Sequence, residues 1–292
     1  MCVQSQSARV ESEVAHIRAL ANIYTCYGFR GKRERLKIAV LLTGYFDESG
    51  TGQHEQLCVV AGFVGNDAQW ASFIPDWMSA LGPRKNLHMT QLRWSNPRRY
   101  DYYVSYLGKL GPIPYKYNLD PVNVRMWHRD HKEIVEGKVS SEFTSPYQLC
   151  ATTCISTVLS EIAGPDDEVL FIFDRQEGKR AEQMNKLRDW VYRWAKLDKR
   201  IRDINFVPRE STICLDPADY LAFQLHHHNL DPESKKAKAG MPVLAAKHMY
   251  GGEYSREYLA LTVQNLQSEG MSPALFERLR KAGWDQHGPP RG

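Results

Sequence analysis

Four carboxylates in this chain stand where acid or metal chemistry is done. Asp47 and Glu48 close an apolar run from Ile38 to Phe46 and are followed by Ser49-Gly50; Asp174 closes a second run, Val169-Leu170-Phe171-Ile172-Phe173; Asp219 lies in Asp216-Pro217-Ala218-Asp219-Tyr220-Leu221-Ala222-Phe223, which opens a helix. Local roles exist for some of them. Asp, Ser and Gly are ordinary turn residues, and Asp216 followed by Pro217 has the sequence of a helix N-cap. One cap needs only one carboxylate, so Asp219 is left without such a role. If the two apolar runs are parallel neighbouring strands, Asp47 and Asp174 meet at one sheet edge, where open α/β sheets bind ligands. Carboxylates held together repel one another unless a cation neutralises them. Hard oxygen ligands of this kind suit Mg²⁺ or Mn²⁺, and a pair of such ions activates water and stabilises the leaving oxygen in phosphodiester cleavage.

The elements that must position these acids are legible from periodicity. A first strand from about Lys37 to Asp47 and a second from Leu57 to Val64 flank a Gly- and Ser-containing turn and predict an antiparallel hairpin. Trp70, Phe73, Ile74, Trp77, Met78 and Leu81 recur at helical spacing over Asn66 to Leu81, ended by Gly82-Pro83. Pro97 to Leu110 reads as a helix with Tyr102, Tyr103, Tyr106 and Leu110 on one side, and Tyr115 to Val124 as a third strand entered through Pro112 and Pro114. A helix from Ser145-Pro146 carries an apolar stripe to Ile162, and the uninterrupted run from Val169 to Phe173 marks a strand buried on both faces. Lys179 to Arg202 reads as one helix with Met184, Leu187, Val191, Trp194 and Ile201 inward; its nine Lys/Arg against three Asp/Glu suit either a solvated face or a phosphate backbone. Ile204 to Pro208 fits an edge strand, and Tyr254 to Leu266 a final helix.

The histidines read as structural. His226-His227-His228 is expected at a helix carboxyl end, where the dipole favours positive charge, and consecutive helical residues cannot converge on one ion. His128 and His131, one turn apart among charged residues, are expected on an exposed loop or helix. Six cysteines without a Cys-x-x-Cys pair suggest free thiols in a reducing cytoplasm. The formal net charge of +4 confines any polyanion contact to a local patch. No apolar run approaches the ~20 residues a membrane helix needs. Residues 1–36, ending in Arg30-Gly31-Lys32-Arg33-Glu34-Arg35, read as a partly disordered extension, residues 37–267 as the folded domain and residues 268–292 as a polar tail.

Tyr45-Phe46-Asp47-Glu48-Ser49-Gly50, Leu87-His88-Met89-Thr90, the strand ending in Asp174 and the late Ala218-Asp219-Tyr220-Leu221-Ala222 together resemble the domain-of-unknown-function family 3800, grouped with ribonuclease H-like folds. The resemblance runs from about Leu36 to Phe223. It implies an α/β fold in which three antiparallel strands are continued by two parallel ones, with helices on both faces. It further implies Asp47, Asp174 and Asp219 as carboxylates holding Mg²⁺ or Mn²⁺, Glu48 assisting, and His88 as the base or orienter of a water. The family usually has Gln where this chain has Asp216, which is therefore either a further acid of the site or a helix cap. The expected activity is metal-dependent cleavage of nucleic acid, DNA or RNA, with Lys179 and Arg180 on the phosphate backbone. Two rivals share the fold: a non-catalytic module binding nucleic acid or protein, and a phosphoesterase of small nucleotides.

Overall fold

A computed structural model of the chain describes residues 40–269, apart from 53, 95, 140–144, 177–178, 196–197 and 246–247. One mixed sheet runs through it, made of β1 (Leu41–Ser49), β2 (Leu57–Asn66), β3 (Asp120–Trp127), β4 (Glu168–Asp174), β5 (Ile201–Val207) and β6 (Tyr250–Glu253), in the order β5-β4-β1-β2-β3-β6. β2 is antiparallel to both β1 and β3, while β4 runs parallel to β1 and β5 parallel to β4. This is the expected mixed sheet, three antiparallel strands continued by two parallel ones, with β6 added parallel to β3. β2 and β4 are buried along almost their whole length because helices cover both faces.

On one face lie α1 (Asp67–Leu81), α2 (Tyr100–Leu110) and, later in the chain, the helix Asp216–Leu230; their Trp70, Phe73, Trp77, Tyr103, Leu107, Tyr220 and Leu221 pack on Tyr45, Val59 and Ile172. α1 is opened by a capping box, in which Asn66 Oδ1 accepts from the Gln69 amide at 3.0 Å and Gln69 Oε1 from the Asn66 amide at 2.7 Å. The other face is covered by α3 (His128–Ile134), α4 (Pro146–Thr157, continued by a π-helical turn Val158–Ile162) and α5 (Lys179–Ala195). Their Leu149, Cys150, Cys154, Met184, Leu187 and Val191 meet Phe46, Val60 and Phe171. The helix Asp216–Leu230 is α6, the short Lys235–Ala239 is α7, and Arg256–Glu269 is α8.

Several expectations are corrected. β3 starts at Asp120, because Ile113–Lys116 is a helical turn: Pro112 and Pro114 pre-set its φ, and Asn118, at φ 51°, ends it. The basic helix stops at Ala195, so Ile201 and Arg202 belong to β5; the Trp194 side chain lies outside the described residues. Tyr102 is exposed on α2, its ring stacked on Tyr106 at 5.8 Å, while Tyr103 and Tyr106 are buried as expected. β6 had no signature, since Tyr250-Gly251-Gly252-Glu253 alternates nothing apolar. Residues 1–39 lie outside the described residues, as does the tail after Glu269; Ser268 and Glu269 end α8. Cys58, Cys150, Cys154 and Cys214 are buried thiols in no disulfide. Among the described residues no helix is long and apolar enough to cross a membrane.

Candidate functional site: a buried acid cluster around an arginine

The parallel pairing of β1 with β4 sets Phe46 opposite Phe173, their rings stacked at 5.1 Å, so Asp47 and Asp174 follow side by side at the carboxyl ends of the two strands. Side chains alternate along a strand. Tyr45 and Ile172 point to the α6 face, and Asp47 and Asp174 follow them there, where Asp219 arrives in the first turn of α6. All three are buried. What they close upon is Arg209, from the turn Arg209–Ser211 just after β5. Its Nη1 donates to Asp47 Oδ2 at 2.7 Å and lies 3.6 Å from Asp174 Oδ2. Its Nη2 is 3.0 Å from Asp219 Oδ2, close enough for an ion pair though off line for a hydrogen bond. Arg209 is only 8% exposed.

His88 stands at the rim, and α6 grips the chain on both sides of it. Asp216 Oδ2 accepts the Leu87 amide at 2.8 Å and the Trp77 indole at 3.2 Å, while Asp219 Oδ2 accepts the Met89 amide at 2.7 Å. The His88 Nδ1 lies 3.5 Å from Asp219 Oδ2, and its Nε2 is 3.0 Å from the Thr90 hydroxyl. Asp216 is therefore no helix cap: the cap position is Leu215, with no side-chain bond, and the Asp216 carboxylate is spent on ordering the His88 segment.

Burial dominates the electrostatics. Asp47 is pushed up to about 7, first by desolvation, with Arg209 pulling down and Asp219 and Asp174 pushing up. Asp174 is raised by burial as well, against the pull of Arg209. Asp216 is pushed up to about 7 by its own burial, with the Leu87 amide and Trp77 indole opposing. Arg209 feels all four carboxylates, which hold its guanidinium more firmly charged despite burial. One positive charge thus faces four acids.

As the side chains stand, no group of three His, Cys, Asp or Glu among the described residues is set to hold a metal ion, because the acids converge on the guanidinium. The donor set nevertheless fits a hard divalent cation: Asp47, Asp174 and Asp219 offer carboxylate oxygens from three elements at one sheet edge, and Asp174 Oδ1 is buried with no hydrogen-bond partner.

Other expected site residues are placed elsewhere. Glu48, next along β1, points to the opposite face and lines a small cleft with Tyr147, Gln183 and Met184, while its amide donates to Asp47 Oδ1 at 2.7 Å. Lys179 and Arg180 open α5, on that same opposite face, and their side chains lie outside the described residues. The histidine triplet does lie at the carboxyl end of α6, with His227 and His228 in its last turn, but the expected positive charge is not favoured there: the buried His226 bonds the Leu57 carbonyl through Nδ1 at 3.0 Å, and burial lowers His226 and takes His227 to about 3. His131 is buried in α3, and His128 Nε2 meets the Gly50 carbonyl at 2.8 Å. Arg209 is the residue that sequence reasoning missed. Val207-Pro208-Arg209-Glu210-Ser211 reads as a charged surface turn, and only its position after the carboxyl end of a parallel strand, beside acids that need a cation, marks it.

No protein-family model matches the chain, and no curated protein matches it. Among solved structures it is similar to a mutant protein of Bst-RNase HIII, at 13% identity and a TM-score of 0.35, over 89% of this chain and 74% of that one. A likeness of that degree does not bear on the site, which rests on the geometry above.

Proposed function

We propose that this chain is a divalent-metal-dependent phosphodiesterase acting on nucleic acid. The observation that carries the reading is the convergence of Asp47, Asp174 and Asp219, with Asp174 Oδ1 buried and unpaired. The motif resemblance supports the same assignment. Asp47, Asp174 and Asp219 would hold Mg²⁺ or Mn²⁺, and the bound ion supplies an activated water and charge stabilisation at the leaving oxygen. His88 is set at the rim by the amide bonds on either side of it, where its imidazole accepts or orients a water proton. The His88 segment runs on into Arg93, Arg98 and Arg99, and α7 packs against α2 with Lys235 Nζ 5.5 Å from the Tyr100 ring centre. These cations, on the face that carries the acids, replace Lys179 and Arg180 as the proposed backbone contact.

The test is thermal unfolding of the full chain with Mn²⁺ and Mg²⁺, followed by cleavage of single- and double-stranded DNA and RNA. Metal at ~100 times its dissociation constant adds about 2.7 kcal/mol, and the resulting rise in melting temperature is expected to vanish in Asp47→Asn and Asp174→Asn. A rise that survives in both variants removes these acids from the metal site.

Arg209 itself favours a second reading. A cluster already supplied with a guanidinium is also what a non-catalytic ribonuclease H-like binding module would keep for stability. Nucleic-acid binding unaffected by chelator, together with no cleavage, selects it.

A further inference from the structure

We infer that Arg209 is the resident cation of the acid cluster, and that a divalent ion reaches Asp47, Asp174 and Asp219 only by displacing its guanidinium. The inference rests on the metal-ligand reading above and adds a competitor to it. One guanidinium touches an oxygen of each expected ligand: 2.7 Å to Asp47, 3.6 Å to Asp174 and 3.0 Å to Asp219. An ion coordinated by the same oxygens at ~2.1 Å cannot share that space, and two cations side by side repel. The position is therefore exclusive.

Arg209 is held there by charge and little else. Its Nε is buried without a hydrogen-bond partner, and its backbone belongs to a three-residue turn between β5 and the turn that leads into α6. It also leaves the cluster underneutralised, since Asp174 Oδ1 keeps no partner and Asp216 adds a fourth acid to the field at the guanidinium. A doubly charged ion answers that deficit better than a single guanidinium. Arginine stays protonated at any working pH, so it can leave only by exchange with another cation and not by losing its proton.

The experiment is calorimetric titration of Mn²⁺ into the full chain, comparing wild type with Arg209→Met, Arg209→Lys and Asp174→Asn. Arg209→Met is expected to bind Mn²⁺ about tenfold or more tightly than wild type, with Arg209→Lys between them, because an ammonium cannot span three carboxylates. Equal or weaker binding in Arg209→Met overturns the inference. If binding is equal and still lost in Asp174→Asn, the metal reading stands and only the competition is wrong; if no variant shows Asp174-dependent binding, both fall. Loss of the guanidinium leaves buried acids uncompensated, so a measurement on wild type guards against a variant that does not fold. Mg²⁺ is titrated against the ¹⁵N side-chain resonances of arginine, the Arg209 signal being identified by its absence in Arg209→Lys. That signal is expected to shift with the dissociation constant that calorimetry of Mg²⁺ on wild type gives, and a signal that stays in place at Mg²⁺ saturation overturns the inference.

Discussion

Asp216 accepts the backbone amide of Leu87 at 2.8 Å across 129 residues of sequence, and so sets the segment that carries His88. Its second bond, from the Trp77 indole at 3.2 Å, ties α1 to the same carboxylate. An amide oxygen can accept both bonds without a buried charge. Asp216→Asn should therefore fall within ~1 kcal/mol of wild type, whereas Asp216→Ala strands two buried donors and should cost about 2–6 kcal/mol. Urea unfolding of the three proteins measures this. An alanine variant as stable as wild type would show that the two bonds contribute nothing net.

The raised carboxyls predict how stability follows pH. Asp47, at about 7 in the fold against an ordinary 3.8, keeps its proton where the unfolded chain has lost it. Its contribution is complete below about pH 4 and is lost as pH rises through 7. His226 and His227, held neutral by burial, work in the opposite direction, so the comparison is with Asp47→Asn. In chelator, wild type should lose stability relative to that variant by up to ~1.4 kcal/mol per pH unit between pH 4 and 7. A difference that is flat with pH, measured by thermal unfolding, would place Asp47 among ordinary ionised carboxylates.

Charge reversal of Lys235 and of its neighbour on α7, Lys236, whose Nζ lies 5.8 Å from the Phe223 ring centre, should weaken nucleic-acid binding uniformly over sequences. It should also reduce the slope of log K against log salt by about 1–2, one for each lost phosphate contact. Filter binding across a salt series checks it. An unchanged slope would move the contact surface away from α7.

Much of this site was legible before the fold was known. Apolar runs that end on aspartate predict buried strands, and Asp47 and Asp174 do meet where two such strands lie side by side. Asp219 is legible for a similar reason: a second acid in the first turn of a helix has no capping work left to do. Glu48 was misplaced because sequence adjacency says nothing of the pleat, which turns neighbours to opposite faces. Asp216 was illegible in kind. Its partners, Trp77 and Leu87, are brought by tertiary packing, and the local Asp-Pro pattern suggested a cap instead. Arg209 was illegible because a surface turn and a buried counter-ion use the same residues, and only the sheet order decides between them.

The order of the strands also governs how copies of this chain can meet. β5 and β6 are the two borders of the sheet, and an open border offers unpaired amides and carbonyls to a neighbouring chain. β6 is four residues long and bent at Gly251, whose φ of 87° interrupts any extended template. β5 is longer but carries Arg202 and Asp203, so a second copy laid along it meets charge at successive positions. Both borders are thus unsuited to strand addition. Under stress, aggregation of the native fold should start from loss of a border strand, which would uncover β3 or β4, and not from the sheet as it stands.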